Sequence, residues 1–340
     1  MPDDWHSVSG SWQQCNGAAY QSEPVGLAEA SWELPVSSFL LEVTLQPGSR
    51  STQSAGCGLC LEAGSGKQFI LQLVPEQQSL SIENSQQQVS LPLPNFNQAS
   101  VQHHLRLEVN HLHISISLDG NAARWQGKLP SPPMRLLLRS EAMSASFSAF
   151  QWTAGWEDNF DQTDGDMTSL GWVDPANTGT WRLHSPQLCA TPSSNQPAVV
   201  YKSLPGSSYE LVLNARLLPK ELPAAGYGFG PPVAKAGDQP LFSLFYLPPG
   251  WCVVASGDER RTFTLPETFD PTHTQQFRMI SQSQQLTLWW EANLLGSLAF
   301  TQHSSRLGLS AMQSSVCFEL VRVTALPDSN AEGEVAHAAA

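Results

Sequence analysis

Charge is scarce in this chain. Asp, Glu, Lys and Arg make up 14% of its 340 residues, well under the roughly 25% of an average soluble domain. Cations are the scarcer half, with 17 Lys and Arg against 30 Asp and Glu and a formal charge of −13. Phosphate binding needs clustered cations, so nucleic acid is excluded as the main partner, and an anionic membrane surface with it. No apolar run reaches the roughly 18 residues of a spanning helix, so no membrane insertion is expected. No basic segment followed by an apolar one marks a leader at the start. The sequence as written therefore reads as cytoplasmic, or as secreted if a leader has been removed. Cysteine is sparse at six residues, too few for a disulfide-dense scaffold. The Cys57-Gly-Leu-Cys60 spacing has no second pair to complete a zinc site. Residues three apart on a strand point to opposite faces, so no Cys57–Cys60 bridge is expected. Gly-x-Ser-x-Gly, a phosphate-binding glycine loop and His-Glu-x-x-His are all absent, so no catalytic residue is assigned.

What is present points to folded β structure. Hydrophobic residues reach 41% with 11 Trp, too apolar for disorder over most of the chain. Seven blocks recur in the same order. Trp5-His-Ser-Val-Ser-Gly-Ser-Trp12 matches Trp172-Val-Asp-Pro-Ala-Asn-Thr-Gly-Thr-Trp181. Ser38–Leu45 matches Ser208–Ala215, Ala55–Leu59 matches Ala225–Phe229, and Gln68–Leu73 matches Leu241–Tyr246. Leu105–Val109 matches Phe277–Ile280, Leu112–Ile116 matches Leu286–Trp290, and Ala145–Trp152 matches Val316–Val323. Most blocks alternate apolar and polar residues with period two, and Gly/Pro clusters such as Leu91-Pro-Leu-Pro94 and Pro248-Pro-Gly250 separate them. No long amphipathic helix is evident. The pattern predicts an all-β protein of two tandem antiparallel β-sandwich domains. The first covers 1–153 and the second 154–327, with a disordered tail over 328–340.

The hairpin Leu105-Arg-Leu-Glu-Val-Asn-His-Leu-His-Ile-Ser-Ile-Ser-Leu-Asp-Gly120, the opening Trp156-Glu-Asp-Asn-Phe160 and the closing Cys317-Phe-Glu-Leu-Val-Arg-Val323 resemble concanavalin A-like lectin/glucanase domains. The likeness is to their laminin-G-like and 3-keto-disaccharide hydrolase branches and covers both halves. It implies a jelly-roll sandwich, often with a glycan site on the concave sheet and sometimes calcium at the rim. Two departures stand out. Only Met1 to Asp4 precede Trp5, so the first sandwich is expected to lack its opening strand. The Glu-x-Asp-x-x-Glu strand of laminarinase-like members is also missing.

Alternation assigns faces. Leu112, Ile114, Ile116 and Leu118 should face the core, with His111, His113, Ser115, Ser117 and Asp119 opposite. In the second half Leu286, Leu288 and Trp290 read as inward, and Thr287, Trp289, Glu291 and Asn293 as outward. Phe242, Leu244 and Tyr246 read as inward, with Ser243 and Phe245 outward on what reads as the neighbouring strand. Trp289 and Phe245 beside Thr287, Glu291 and Asn293 would give a sugar an aromatic platform and groups to fix its hydroxyls. His111 and His113, with His103 and His104 on the adjacent strand, have metal-ligating potential against a solvated polar face as the plainer reading. Asp158, Asp161, Asp164 and Asp166 offer calcium several oxygens, or form an acidic linker; the strict calcium-loop spacing is absent, and no cofactor is assigned.

The leading reading is non-catalytic binding of a glycan or polysaccharide by aromatic stacking. One alternative is a glycoside-active hydrolase or lyase resembling the 3-keto-disaccharide hydrolases. The other is an assembly protein whose sandwiches contact another protein.

Overall fold

The computed structural model describes residues 5–24, 26–64, 66–84, 87–93, 102–120, 122–161, 167–177, 179–193, 196–218, 226–233, 239–256, 260–301 and 304–327. The expected tail at 328–340 lies outside them. Among the described residues there is no α-helix, and every strand pairing is antiparallel. The chain is an antiparallel all-β sandwich protein. It divides into two compact units, Met1–Ala154 and Gly155–Ala340.

In the first unit the strands are β1 (His6–Ser9), β2 (Trp12–Cys15), β3 (Ala18–Gln21), β4 (Leu27–Glu33), β5 (Phe39–Arg50), β6 (Gly56–Ala63), β7 (Gly66–Val74), β8 (Ser79–Asn84), β9 (Gln88–Pro92), β10 (His103–Asn110), β11 (His113–Leu118), β12 (Ala123–Lys128), β13 (Arg135–Glu141) and β14 (Met143–Asp158). One sheet runs β1-β4-β13-β6-β7-β8-β9 and the other β12-β11-β10-β5-β14, with β3 also pairing β14 and β2 pairing β3. Period two decides what each strand buries: on β5, Phe39, Leu41, Val43 and Leu45 enter the core while Leu40, Glu42, Thr44 and Gln46 stay half-exposed. They meet Leu59, Leu71, Leu80 and Leu138 of the opposite sheet, the alternating burial that defines a sandwich. Strand β6 is buried along its whole length. A Cβ on Gly58 would fall 1.9 Å from the Leu71 carbonyl oxygen, so only glycine fits there. Cys57 and Cys60 are both buried and outside any disulfide, and of the two only Cys57 belongs to the core cluster.

In the second unit the last residues of β14, Gly155–Asp158, pair with β27. The remaining strands are β15 (Gly179–His184), β16 (Gln187–Pro192), β17 (Ala198–Ser203), β18 (Tyr209–Leu217), β19 (Gly226–Val233), β20 (Gln239–Leu247), β21 (Gly250–Ser256), β22 (Arg260–Thr264), β23 (Gln275–Gln282), β24 (Gln285–Trp290), β25 (Asn293–Ala299), β26 (Arg306–Met312) and β27 (Val316–Ala325). One sheet contains β25-β24-β23-β18-β27 with β16 and β15 beyond β27, and the other is β17-β26-β19-β20-β21-β22. Leu211, Leu213, Phe277, Leu288 and Phe318 from the first meet Tyr227, Phe229, Leu244 and Leu309 from the second.

Two features of this unit were not anticipated from sequence. Asp158 is not part of a solvated acidic loop. It is fully buried, its Oδ2 lies 2.9 Å from Lys202 Nζ, and the same oxygen accepts from Trp172 Nε1 at 2.6 Å. The ammonium also stands 4.0 Å from the Trp156 ring centroid. Asp161 is exposed, and Asp164 and Asp166 lie outside the described residues. The second feature is a disulfide, Cys189–Cys317, joining directly opposed residues of β16 and β27.

Candidate functional site

The outer face of β24 carries the candidate aromatic. Leu286 and Leu288 are fully buried, so Thr287 and Trp289 emerge on the other side, both half-buried. Trp290 turns inward, packs on the core beside Phe269 at 5.8 Å between ring centroids, and donates from Nε1 to Gln275 Oε1 at 2.8 Å. Cross-strand register supplies the neighbours of Trp289, which are Arg278 on β23 and Leu294 on β25. The Arg278 guanidinium carbon lies 5.0 Å from the indole centroid, and its Nε donates to Glu210 on β18. Held from two sides, the guanidinium is fixed in place over the ring, a cation–π arrangement. Thr287 Oγ1 and Ser297 Oγ share a hydrogen bond of 3.0 Å, and Gln276 Nε2 donates to Asn214 Oδ1 at 3.1 Å. Leu294 is 61% exposed.

Of the five residues singled out by alternation, only Trp289 and Thr287 come together on this face. Glu291 is the first turn residue after β24, with φ 51°. Its N–H donates to the Gln276 carbonyl at 2.9 Å and its Oε1 accepts from the Gln276 N–H at 3.0 Å, so the carboxylate ties the turn to β23. Asn293 pairs with Trp290 rather than continuing the Trp289 face, because the turn and a register shift between Leu288 and Trp289 reset the alternation. Phe245 lies on β20, in the other sheet, opposite Gly226 and Cys252. The platform of Trp289 with Phe245, Glu291 and Asn293 is therefore replaced by Trp289 with Arg278, Glu210, Thr287 and Leu294. Arg278 and its counterpart Arg106 stood in matched sequence blocks; that was the available signal.

The first unit has the same hairpin with different contents. The β10–β11 and β23–β24 turns each hold two residues, closed by Asn110 with His113 and by Gln282 with Gln285. Counting from these turns aligns Ile114 with Leu286 and Ser117 with Trp289, two residues away from the sequence match of Leu112 with Leu286. Asp119 then falls at Glu291. It has φ 49°, its N–H donates to the His104 carbonyl at 2.8 Å, and its Oδ1 accepts from the His104 N–H at 2.8 Å. Where the second unit has an indole, the first has a serine, and a groove of about 480 Å³ opens there. Its polar lining is Arg106 and Glu108 of β10, Ser115 and Ser117 of β11, and Arg124 and Gln126 of β12.

The histidines do not gather. His111 sits in the turn with φ 55° instead of on the strand beside His113. His103 is buried with Nδ1 2.8 Å from Asp119 Oδ2, while its neighbour His104 is exposed. Among the described residues no three His, Cys, Asp or Glu side chains converge as metal ligands.

No protein-family model matches the chain, and neither does any curated protein. Among solved structures, the carbohydrate-binding module CBM66 from Bacillus subtilis is similar at TM-score 0.33 and 15% identity, over 44% of this chain and 94% of its own. The Bacillus licheniformis β-glucanase is similar at TM-score 0.38 and 10% identity, over 51% and 99%. The laminarinase catalytic domain from Thermotoga maritima MSB8 is similar at TM-score 0.36 and 10% identity, over 51% and 98%. These neighbours are carbohydrate-binding modules and glucanases of the jelly-roll fold, and likeness at this level assigns no function.

Proposed function

We propose that the chain binds a glycan without transforming it, on the outer face of β18, β23, β24 and β25. The observation that carries this reading is Trp289, a half-exposed indole whose surroundings are polar groups already oriented by one another. An aromatic face takes the C–H side of a sugar ring, and Thr287, Ser297 and the Arg278–Glu210 pair provide donors and acceptors for its hydroxyls. A binding role is favoured over hydrolysis by what the nearby carboxylates do. Glycoside hydrolysis uses a pair of carboxyl groups about 5–9 Å apart with one free to exchange a proton. Here Glu291 is committed to the Gln276 backbone and Glu210 to Arg278.

The test compares two adjacent tryptophans on a glycan array and in thermal melts. Trp289→Ala is expected to remove binding at a cost of about 1 kcal/mol in stability, as a change at a partly exposed position. Trp290→Ala, which removes a core-packed ring and a hydrogen bond, is expected to cost about 3 kcal/mol and to leave the ligand profile of the surviving folded protein unchanged. Full binding by Trp289→Ala would sink the proposal. Unfolding by Trp289→Ala would favour the assembly reading instead. Sugar release from any array hit would favour the hydrolytic one.

A further inference from the structure

The groove in the first unit has a chemistry the Trp289 face lacks. In the antiparallel register Ser117 is the direct partner of both Arg106 and Arg124. The row Arg106–Ser117–Arg124 therefore crosses three strands on one face. Adjacent strands lie about 4.8 Å apart, so the two arginine backbones stand about 10 Å apart with a short hydroxyl side chain between them. A single group seated over Ser117 is within reach of both guanidiniums. Arg106 is oriented by its own sheet, with Nη1 3.1 Å from Glu42 Oε1 and Nη2 3.9 Å from Glu108 Oε2. Arg124 is exposed and makes no ion pair among the described residues. It shares this with Arg182, Arg260 and Arg306, whereas Arg50, Arg135, Arg139, Arg216, Arg278 and Arg322 have carboxylate partners. The next row is Glu108–Ser115–Gln126, which offers acceptors and an amide in place of cations.

We propose that this groove binds an acidic oligosaccharide, with an oxyanion over Ser117 between Arg106 and Arg124. Carboxylate and sulfate share the chemistry required, since the guanidinium fork matches two oxygens of either. The Glu108 row accepts hydroxyl protons from the neighbouring sugar and repels a second anion placed directly beside the first. The net charge of the chain acts the same way on densely charged polymers. The groove thus selects charges separated by neutral sugars. This site stands on residues of the first unit alone, so it succeeds or fails independently of the Trp289 reading.

The experiment titrates the full chain with three probes by calorimetry. Hyaluronan oligosaccharides carry one carboxylate per disaccharide and no sulfate, keratan sulfate oligosaccharides carry sulfate and no carboxylate, and carboxyl-reduced hyaluronan carries neither. At least one acidic probe is expected to bind, more weakly as salt rises, and the arm that binds identifies the oxyanion. Carboxyl-reduced hyaluronan is expected not to bind. Arg124→Gln should weaken the acidic probe about tenfold, the loss of a charge-assisted hydrogen bond. Ser117→Trp, which places an indole where the second unit has one, should block the groove, and Trp289→Ala should leave this binding unchanged. Binding by neither acidic probe, equal binding of the reduced polymer, or unchanged affinity in Arg124→Gln would each overturn the proposal. If Ser117→Trp does not fold, the exposed Arg124 variant decides alone.

Discussion

At Lys202 an ammonium group has left water for the interior, and its surroundings offset part of that cost. Burial lowers its pKa, while attraction and a hydrogen bond from Asp158 pull the other way. Removing one partner of such a pair leaves an uncompensated charge, so Asp158→Ala is expected to cost about 3–5 kcal/mol. The double change Asp158→Leu with Lys202→Met should cost far less, and urea titrations of both variants separate pairing from packing. The pH dependence has a definite sign. Folded Lys202 holds its proton less tightly than the unfolded chain does, so its contribution to stability grows as pH rises toward the ordinary lysine value of 10.5. Cys57 acts in the opposite direction. Complete burial pushes its thiol up from 9.0 to about 12, so its stabilising contribution is full below pH 9 and is lost as pH climbs toward 12. Cys57→Ala should flatten the alkaline loss relative to the wild type in melts from pH 8 to 11. Buried thiols are also unreactive. Of the four cysteines outside the disulfide only Cys15 is exposed. Thiol titration should count one group in the native chain, four in denaturant, and six after reduction opens Cys189–Cys317.

The elements most dependent on side chains for their position are β16 and the two acidic turns. Cys189–Cys317 ties β16 to β27 across a sequence separation of 128 residues, and Tyr20 opposite Ser146 holds the corresponding place on β3 and β14. Closing so long a loop restricts the unfolded chain, so Cys189→Ser should cost up to about 5 kcal/mol, read as the difference between melts with and without reductant. At the β24–β25 turn, Glu291→Ala should cost about 1 kcal/mol while Glu291→Gln, whose amide oxygen still accepts from Gln276, should cost much less. At this scale it becomes clear which parts of the structure were legible in the sequence. Alternation is local, so the strands and the inward sets Ile114, Ile116, Leu118 and Leu286, Leu288 could be read directly. Turns reset alternation, which is why His111 and Asn293 were placed on faces they do not occupy. Sheet membership is non-local: nothing between Phe245 and Trp289 in sequence says that β20 and β24 belong to different sheets. The Asp158–Lys202 pair and the disulfide join residues 44 and 128 positions apart, and only the folded chain brings those partners into contact.

For the whole molecule the controlling fact is that burial is segregated. Every residue of one core cluster falls between Ala19 and Phe147, and every residue of the other between Trp156 and Val323. A cluster that draws on no distant segment has what it needs to unfold as its own cooperative unit. We therefore propose two independent folding units meeting at Ala154 and Gly155. One feature opposes independence: β14 passes through the boundary, pairing Ala154 with Phe39 and Gly155 with Thr324. Differential scanning calorimetry weighs the two effects. Trp290→Ala, at about 3 kcal/mol, should lower one transition by roughly 6–12 °C, since a unit of this size loses about 2–4 °C per kcal/mol. Leu107→Ala, a core truncation in the other cluster, should lower the other transition and leave the first in place. A single transition that both variants shift together would mean that the two units unfold as one. The binding predictions for Trp289 and for the Arg124 groove would then have to be read in variants of matched stability, since losing either core would empty both sites.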